Sequence, residues 1–380
     1  MTSTQHHSSI DTLGGIHHVT AITSSAQKIY DFFTNILGLK LAKVTVNQDD
    51  YETYHLYFTD EEGHAGTDMT FFDFPGIPKG HHGTNEINRT SFRVPSDASL
   101  QYWKIRFSKA EVTHGNISER FGKKYLEFED FDGQRYQLIS DENDKGVASG
   151  QPWQLSNVAP EHAITGLGPV FIKVSESQNL KAILEEVFGF RESAVEGSMT
   201  LFETADGGNG ASLIVEQSVD EASWQGFGTV HHLALRTKTP ETLKEWINRI
   251  ENYRLPDSGL VDRFYFSSEY VRVAPGVLFE IATDSPGIGA LDMAMSSGQV
   301  DSYEEALMLS GFWVDEAKDK AGLDLSLPPH LFPGDEATKA AAAARLRPLD
   351  TTDSQRDRRQ DELWTMKKVI DQVVKESVYQ

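Results

Sequence analysis

The strongest constraint on this chain is repetition: one order of strand, helix, strand, strand, strand recurs, with divergence, between residues 16 and 284. In the first copy, Ile16-His17-His18-Val19-Thr20-Ala21-Ile22 reads as a strand. Residues 26–37 then carry Ile29, Phe32, Phe33, Ile36 and Leu37 at helical spacing, and Gly38 ends that helix. Residues 39–41 open a second strand, and residues 53–58 and 68–74 alternate as two more before Pro75-Gly76 breaks the pattern. Looser copies run over residues 88–140, 168–215 and 230–284, and Val187-Phe188-Gly189-Phe190 echoes Ile36-Leu37-Gly38-Leu39. Aligning the first strands on their shared ends places His18, Arg89, Pro169 and His232 at one equivalent position.

Repeated βαβββ units resemble the vicinal-oxygen-chelate superfamily of glyoxalases, bleomycin-resistance proteins and extradiol dioxygenases. That resemblance implies an α+β fold in which four βαβββ modules form two incomplete barrels. The division expected along the chain is a disordered N-terminus (1–12), modules one and two (13–141), a Gly-, Ser-, Asn- and Pro-rich linker (142–162), modules three and four (163–290) and a C-terminal helical extension (291–380). The extension holds an alanine-rich helix near residues 337–346. A last helix follows, in which Leu363, Met366, Ile370 and Val373 share one face. That face is expected to dock on the body or on a neighbouring subunit, which leaves a homo-oligomer open; a lid is the less favoured alternative.

Charge and composition narrow the chemistry. With 57 acidic against 35 basic residues and a net charge of −22, the surface repels phosphate backbones and anionic lipid, so neither nucleic acid nor membrane is an expected partner. No apolar run approaches the roughly 20 residues needed to span a bilayer, and the N-terminus reads as no secretory signal. The absence of cysteine excludes thiolate ligands and thiol nucleophiles and fits a cytoplasmic location. Any transition metal must then be held by His, Asp or Glu.

The candidates for that work are His17-His18 and His231-His232, which fall at matching places on the first strands of modules one and four. Side chains alternate along a strand, so one histidine of each pair is expected to face the barrel interior. Glu280, inside the apolar run Val277-Leu278-Phe279-Glu280-Ile281-Ala282, is costly to bury unless paired or metal-bound. Two imidazoles and one carboxylate form the facial triad of non-haem Fe(II) sites; Mn(II) suits the set as well, and ligand type alone leaves Zn(II) open. Arg89 and Pro169 occupy the ligand position in modules two and three, which marks those modules as scaffold. Alignment with the superfamily turns His18 and His232 inward. The glyoxalase pattern adds a second Glu on the last strand of the partner module, where this chain has Met69-Thr70-Phe71-Phe72 and no carboxylate until Asp73. Three protein ligands are therefore expected, and module one must pair with module four.

Three segments resemble a bacterial family of ring-cleaving dioxygenases acting on hydroquinones, including the chlorohydroquinone 1,2-dioxygenases. They are Gly15-Ile16-His17-His18-Val19-Thr20-Ala21-Ile22-Thr23; Leu37-Gly38-Leu39-Lys40-Leu41 through Thr45-Val46-Asn47 to Tyr54-His55-Leu56-Tyr57; and Tyr265-Phe266 through Glu280-Ile281-Ala282-Thr283-Asp284-Ser285-Pro286-Gly287. The resemblance implies Fe(II) on His18, His232 and Glu280, with supporting roles at His17, Thr20, His231, Arg263 and Tyr270. Tyr270, ten residues before Glu280, sits at the spacing of the extradiol active-site tyrosine and can hydrogen-bond a bound phenolate. Arg263 can stabilise developing negative charge, and His17 can shuttle a proton. His55 either lines the pocket or caps a strand. Thr67 stands where catechol-cleaving relatives carry an acid–base histidine, with His64 three residues away, which favours a hydroquinone over a catechol. His81-His82, flanked by glycines, reads as loop.

The expected activity is opening of a hydroquinone-type ring by O₂, with a small aromatic substrate. Two alternatives stand beside it: a glyoxalase-type metal-dependent lyase, isomerase or thiol transferase, and a non-catalytic protein that sequesters an aromatic compound.

Overall fold

In the computed structural model, which describes residues 10–329 together with 340, 343, 344, 346 and 349–351, each copy of the repeat folds as one module. Module one comprises β1 (Ile16–Ile22), α1 (Ala26–Tyr30), which runs on as a π-helical turn (Asp31–Ile36), β2 (Lys40–Asn47), β3 (Asp50–Thr59) and β4 (Asp68–Asp73). Module two comprises β5 (Glu86–Val94), α2 (Asp97–Lys109), β6 (Ser118–Arg120), β7 (Lys123–Glu129) and β8 (Arg135–Ser140). Module three comprises β9 (Gly166–Val174), α3 (Ser177–Glu186), β10 (Arg191–Glu196), β11 (Met199–Glu203) and β12 (Ser212–Gln217). Module four comprises β13 (Thr229–Thr237), α4 (Pro240–Tyr253), β14 (Val261–Asp262), β15 (Ser267–Ala274) and β16 (Val277–Thr283).

Local chemistry explains the helix ends. Ser25 caps α1 by accepting from Lys28 N, and Asp73 Oδ2 accepts from Ala26 N, tying the helix start to β4. Gly38 and Gly189 stop the two echoing segments with φ of +75° and +71°, a region where a side chain is strained.

The modules associate out of sequence order. One eight-stranded sheet runs β14-β15-β16-β13-β1-β4-β3-β2 and joins module four to module one; the other runs β10-β11-β12-β9-β5-β8-β7-β6 and joins module three to module two. This is the pairing that the ligand positions require. Each sheet curls into an incomplete barrel, and each is centred on an antiparallel pair of first strands, β1–β13 and β5–β9. The core lies between the sheets: Phe33 meets Phe58 and Phe71 of one sheet and Phe92 and Tyr136 of the other, with ring centroids 4.8–6.0 Å apart. Burying one such ring contributes roughly 1.5–3 kcal/mol. The two inter-module crossovers also pair, through Lys79–Phe227, His81–Trp224 and Thr84–Ala222, and the His81 ring stacks on Trp224 at 4.2 Å.

Beyond the modules lie two short helices, α5 (Ile288–Ser296) and α6 (Tyr303–Ala306), and a 3₁₀ turn at Gly311–Trp313. The chain then lies across module one: Lys43, fully buried, pairs with Asp315 at 3.0 Å and Glu316 at 2.7 Å, and Phe312 packs on Tyr57 and Tyr265. The expected N-terminal disorder over residues 1–9, most of the alanine-rich helix and the final helix with Leu363 to Val373 lie outside the described residues. No helix among the described residues is long and apolar enough to cross a membrane.

Candidate metal centre

The β1–β13 ladder carries two irregularities that place both histidine pairs. Ile16 faces Leu235 while His18 faces Ala234, so His17 is the extra residue of a bulge on β1. Thr20 faces His232 while Ala21 faces Val230, so His231 is the extra residue on β13. Strict alternation would send the members of each pair to opposite faces; the bulges turn each extra histidine back beside its neighbour instead. His17 Nδ1 lies 2.9 Å from His18 Nδ1, and His231 Nδ1 lies 2.8 Å from His232 Nδ1.

The second histidine of each pair points to Glu280 across the ladder. His18 Nε2 and His232 Nε2 lie 3.3 Å apart, and Glu280 Oε2 is 3.2 Å from the first and 2.9 Å from the second. Donors at 2.0–2.2 Å from one ion sit roughly 3 Å apart when cis on an octahedron and roughly 3.4 Å apart on a tetrahedron. The triangle therefore fits one small cation. Glu280 Oε1 accepts from Ser268 Oγ, whereas buried Oε2 accepts no hydrogen bond of normal geometry despite its two close imidazoles. Two imidazole nitrogens and a carboxylate oxygen converging on one point is the arrangement of a cation site. Among the described residues no fourth His, Asp or Glu joins the cluster: Asp73 is engaged by Ala26 N, as above, and His64 is held by Asp60 at 2.7 Å. Half of an octahedral shell stays open.

Hydrogen bonds determine which nitrogen of each ring is free. Thr283 O, an acceptor only, lies 3.1 Å from His17 Nε2, so that nitrogen carries hydrogen. Burial, with His18 next, holds His17 well below its ordinary pKa; it is neutral, and its Nδ1 must accept from His18 Nδ1–H. Nε2 is then the His18 nitrogen turned to the cluster, the usual arrangement behind a metal-bound imidazole. Both His17 nitrogens are engaged, so the proton-shuttle expectation finds no open nitrogen there. Burial raises Glu280, but His18 and His232 outweigh it and keep the carboxyl ionised well below its ordinary range.

A cavity of about 350 Å³ reaches the triad at His232 and is lined also by His55, Tyr57, Phe72, His231, Tyr270 and Arg263, with Asn47, Gln48 and Asp49 of the β2–β3 turn. The Tyr270 ring stands edge-on to His232 at 5.6 Å, and Arg263 Nε donates to Tyr270 Oη at 3.1 Å. Arg263 is also clasped by Asp49 at 2.9 Å, and its carbonyl accepts from Gln48 at 2.7 Å. Thr20 Oγ1 sits 2.9 Å from His232 Nε2. Burial, with His232 next, pushes His231 down to about 3 and leaves it neutral. His55 therefore lines the pocket. Sequence reasoning passed over Ser268, Asp49, Tyr57 and Thr70, none of which stands out from its neighbours until the strands are paired. Asp68 was also missed: it faces His18 across β1–β4, and burial lifts its carboxyl to about 8.

An incomplete barrel of paired βαβββ modules with a two-histidine, one-carboxylate centre defines a vicinal-oxygen-chelate protein, and comparison with known proteins agrees. The chain belongs to the glyoxalase/bleomycin resistance protein/dioxygenase superfamily, whose family model matches residues 15–138, and within it to the ring-cleaving dioxygenase family. It is 38% identical to MhqA of Bacillus subtilis, named as a ring-cleaving dioxygenase, over 89% of this chain and 99% of the relative. It is 28% identical to the chlorohydroquinone/hydroquinone 1,2-dioxygenase of Sphingobium indicum over 83% of this chain and 92% of the relative. A crystal structure of a Bacillus subtilis protein named as a dioxygenase superposes with a TM-score of 0.74 at 30% identity, covering 90% of this chain and 99% of that one. Glyoxalase I from Zea mays shares the fold at a TM-score of 0.51 and 11% identity, covering 71% of this chain and 92% of that one.

Proposed function

We propose that the protein is an Fe(II)-dependent dioxygenase that opens a hydroquinone-type ring, with His18, His232 and Glu280 as the metal ligands. The observation that carries this reading is the three-donor triangle, one of whose members, His232, lines the cavity. Iron(II) bound there would let O₂ react with a closed-shell aromatic ring, and both oxygen atoms enter the ring-opened product.

The chain's own residues bind and orient the substrate. His231, neutral and accepting from His232 at Nδ1, turns an Nε2–H donor toward the cavity. Tyr270, receiving the Arg263 hydrogen bond, can turn its own hydroxyl hydrogen to a substrate oxygen. Arg263 places positive charge beside that hydroxyl, where negative charge on an oxygenated ring is stabilised. Phe72 and Leu278 supply apolar lining for a ring. Mn(II) suits the same ligands.

A hydroquinone rather than a catechol is supported by what lies near Thr67. Its hydroxyl donates to His64 O, and the His64 side chain, 55% exposed, faces Asp60 and lines no part of the cavity. The acid–base histidine of a catechol enzyme has no counterpart there.

Oxygen uptake tests the proposal. Protein purified under nitrogen and reconstituted with Fe(II) should consume one O₂ per hydroquinone, with loss of the aromatic absorbance. No uptake across a panel of substituted hydroquinones, or uptake with catechols alone, contradicts it.

A further inference from the structure

We propose that Tyr57, His55 and Thr70 form a one-way hydrogen-bond line that holds the Thr20 hydroxyl as a donor toward the open side of the metal centre, so that the site selects a phenol bound as its phenolate. The inference rests on the metal-centre and phenolic-substrate reading above and adds three positioning residues to it.

The line is continuous and buried. Tyr57 Oη lies 2.8 Å from His55 Nδ1, His55 Nε2 lies 2.9 Å from Thr70 Oγ1, and Thr70 Oγ1 lies 2.7 Å from Thr20 Oγ1. Thr20 Oγ1 ends it, 2.9 Å from His232 Nε2. Thr20 and Thr70 are fully buried, Tyr57 is 2% exposed and His55 9%.

Its direction follows from donor and acceptor counting. Burial keeps the Tyr57 phenol protonated, and among the described residues His55 Nδ1 is the one acceptor its hydrogen can reach. Nδ1 therefore accepts. Burial, with His18 and His232 next, keeps His55 neutral, so its single ring hydrogen sits on Nε2 and goes to Thr70. Thr70 passes its own hydrogen to Thr20, because its oxygen already receives one from His55. The Thr20 hydrogen is then directed at His232 Nε2. The reverse order would leave the Tyr57 hydrogen without a protein acceptor among the described residues.

His232 Nε2 cannot serve both a cation and Thr20. Once a cation takes that lone pair, the Thr20 hydrogen faces the open side and needs an acceptor oxygen. A phenolate oxygen accepts it, whereas a neutral phenol would also have to place its own hydrogen. His231 Nε2–H and the Tyr270 hydroxyl add two more donors in the same cavity, and the carboxylate of Asp49 is already occupied by Arg263.

The test uses Fe(II)-loaded protein under nitrogen and 4-nitrophenol, whose phenolate absorbs visible light. In the wild type the bound probe should ionise at lower pH than the free probe. Thr70→Val and Tyr57→Phe should lower the preference for phenolate over phenol by about tenfold, one unit in the bound probe's ionisation, with metal content unchanged. Thr70→Ser, which keeps the hydroxyl, should restore it. An unchanged preference in Thr70→Val, or a Thr70→Ser protein as impaired as the valine variant, overturns the line and leaves the metal reading standing. Failure of metal-loaded wild type to bind the probe overturns the phenolic reading and this inference with it.

Discussion

The two sheets are built alike, and only one carries the centre. In the first, β1–β13 bulges at His17 and His231; in the second, β5–β9 shifts register between Ile87 and Arg89 and again between Thr90 and Phe92. The backbone device is thus kept in both. Strand register makes Arg89 the counterpart of His18, Pro169 that of His232 and Ile214 that of Glu280. Asn88 stands at the first bulge where the other sheet has His17. Arg89 fills the space by pairing with Glu127 at 3.0 Å and lying over Phe171 at 5.5 Å. A shared backbone therefore supplies the position, and a handful of side chains decides whether a cation can be held there.

The widest gap between the sheets should appear in bound metal. Glu280→Gln and His232→Ala should each lose stoichiometric metal, a larger effect than the 10–100-fold drop typical of an outer-shell change. Arg89→Met, made in the other sheet, should keep it; stoichiometric metal in all three variants would remove the distinction. Elemental analysis after dialysis reads this directly.

Next in size is the bulge residue. His17→Phe keeps an aromatic ring against Phe266 but leaves the His18 Nδ1 hydrogen without an acceptor. Metal affinity should fall about 10–100-fold, with Asn88→Ala in the second sheet silent. Competition with a chelator measures both, and equal affinity in His17→Phe would show that the bulge histidine only fills space.

A smaller contrast lies on the helix-facing side. Glu269 is buried with neither carboxylate oxygen paired, where the second sheet places Thr200. Burial lifts its carboxyl to about 8, against an ordinary value near 4.3. A raised folded-state pKa means the folded protein binds the extra proton. Its contribution is therefore complete below the ordinary value and is lost as pH rises toward about 8. Wild-type thermal stability should fall between about pH 5 and pH 8 relative to Glu269→Gln, each kcal/mol costing about 1–2 °C in a chain of this size. Parallel melting curves across that window would contradict the assignment.

The triad was legible because repetition supplied what distance in sequence hides. His18 and His232 recur at one position of the repeat, and Glu280 interrupts an apolar run. The same reasoning required module one to pair with module four. The bulges were not legible, because a one-residue insertion looks like ordinary alternation until the partner strand is known, and His17 accordingly read as a shuttle. Thr70 and Tyr57 were hidden for a related reason. Each is an unremarkable strand residue, and its meaning comes from Thr20 and His55 on neighbouring strands. Ser268 acts through Glu280, twelve residues on.

Diffraction from crystals of Fe(II)-loaded protein, recorded at the iron absorption edge, tests the central claim most directly. One anomalous peak is predicted, about 2.0–2.2 Å from His18 Nε2, His232 Nε2 and Glu280 Oε2, with none between β5 and β9. A peak held by other residues, or no peak at the triad of the loaded protein, would contradict it.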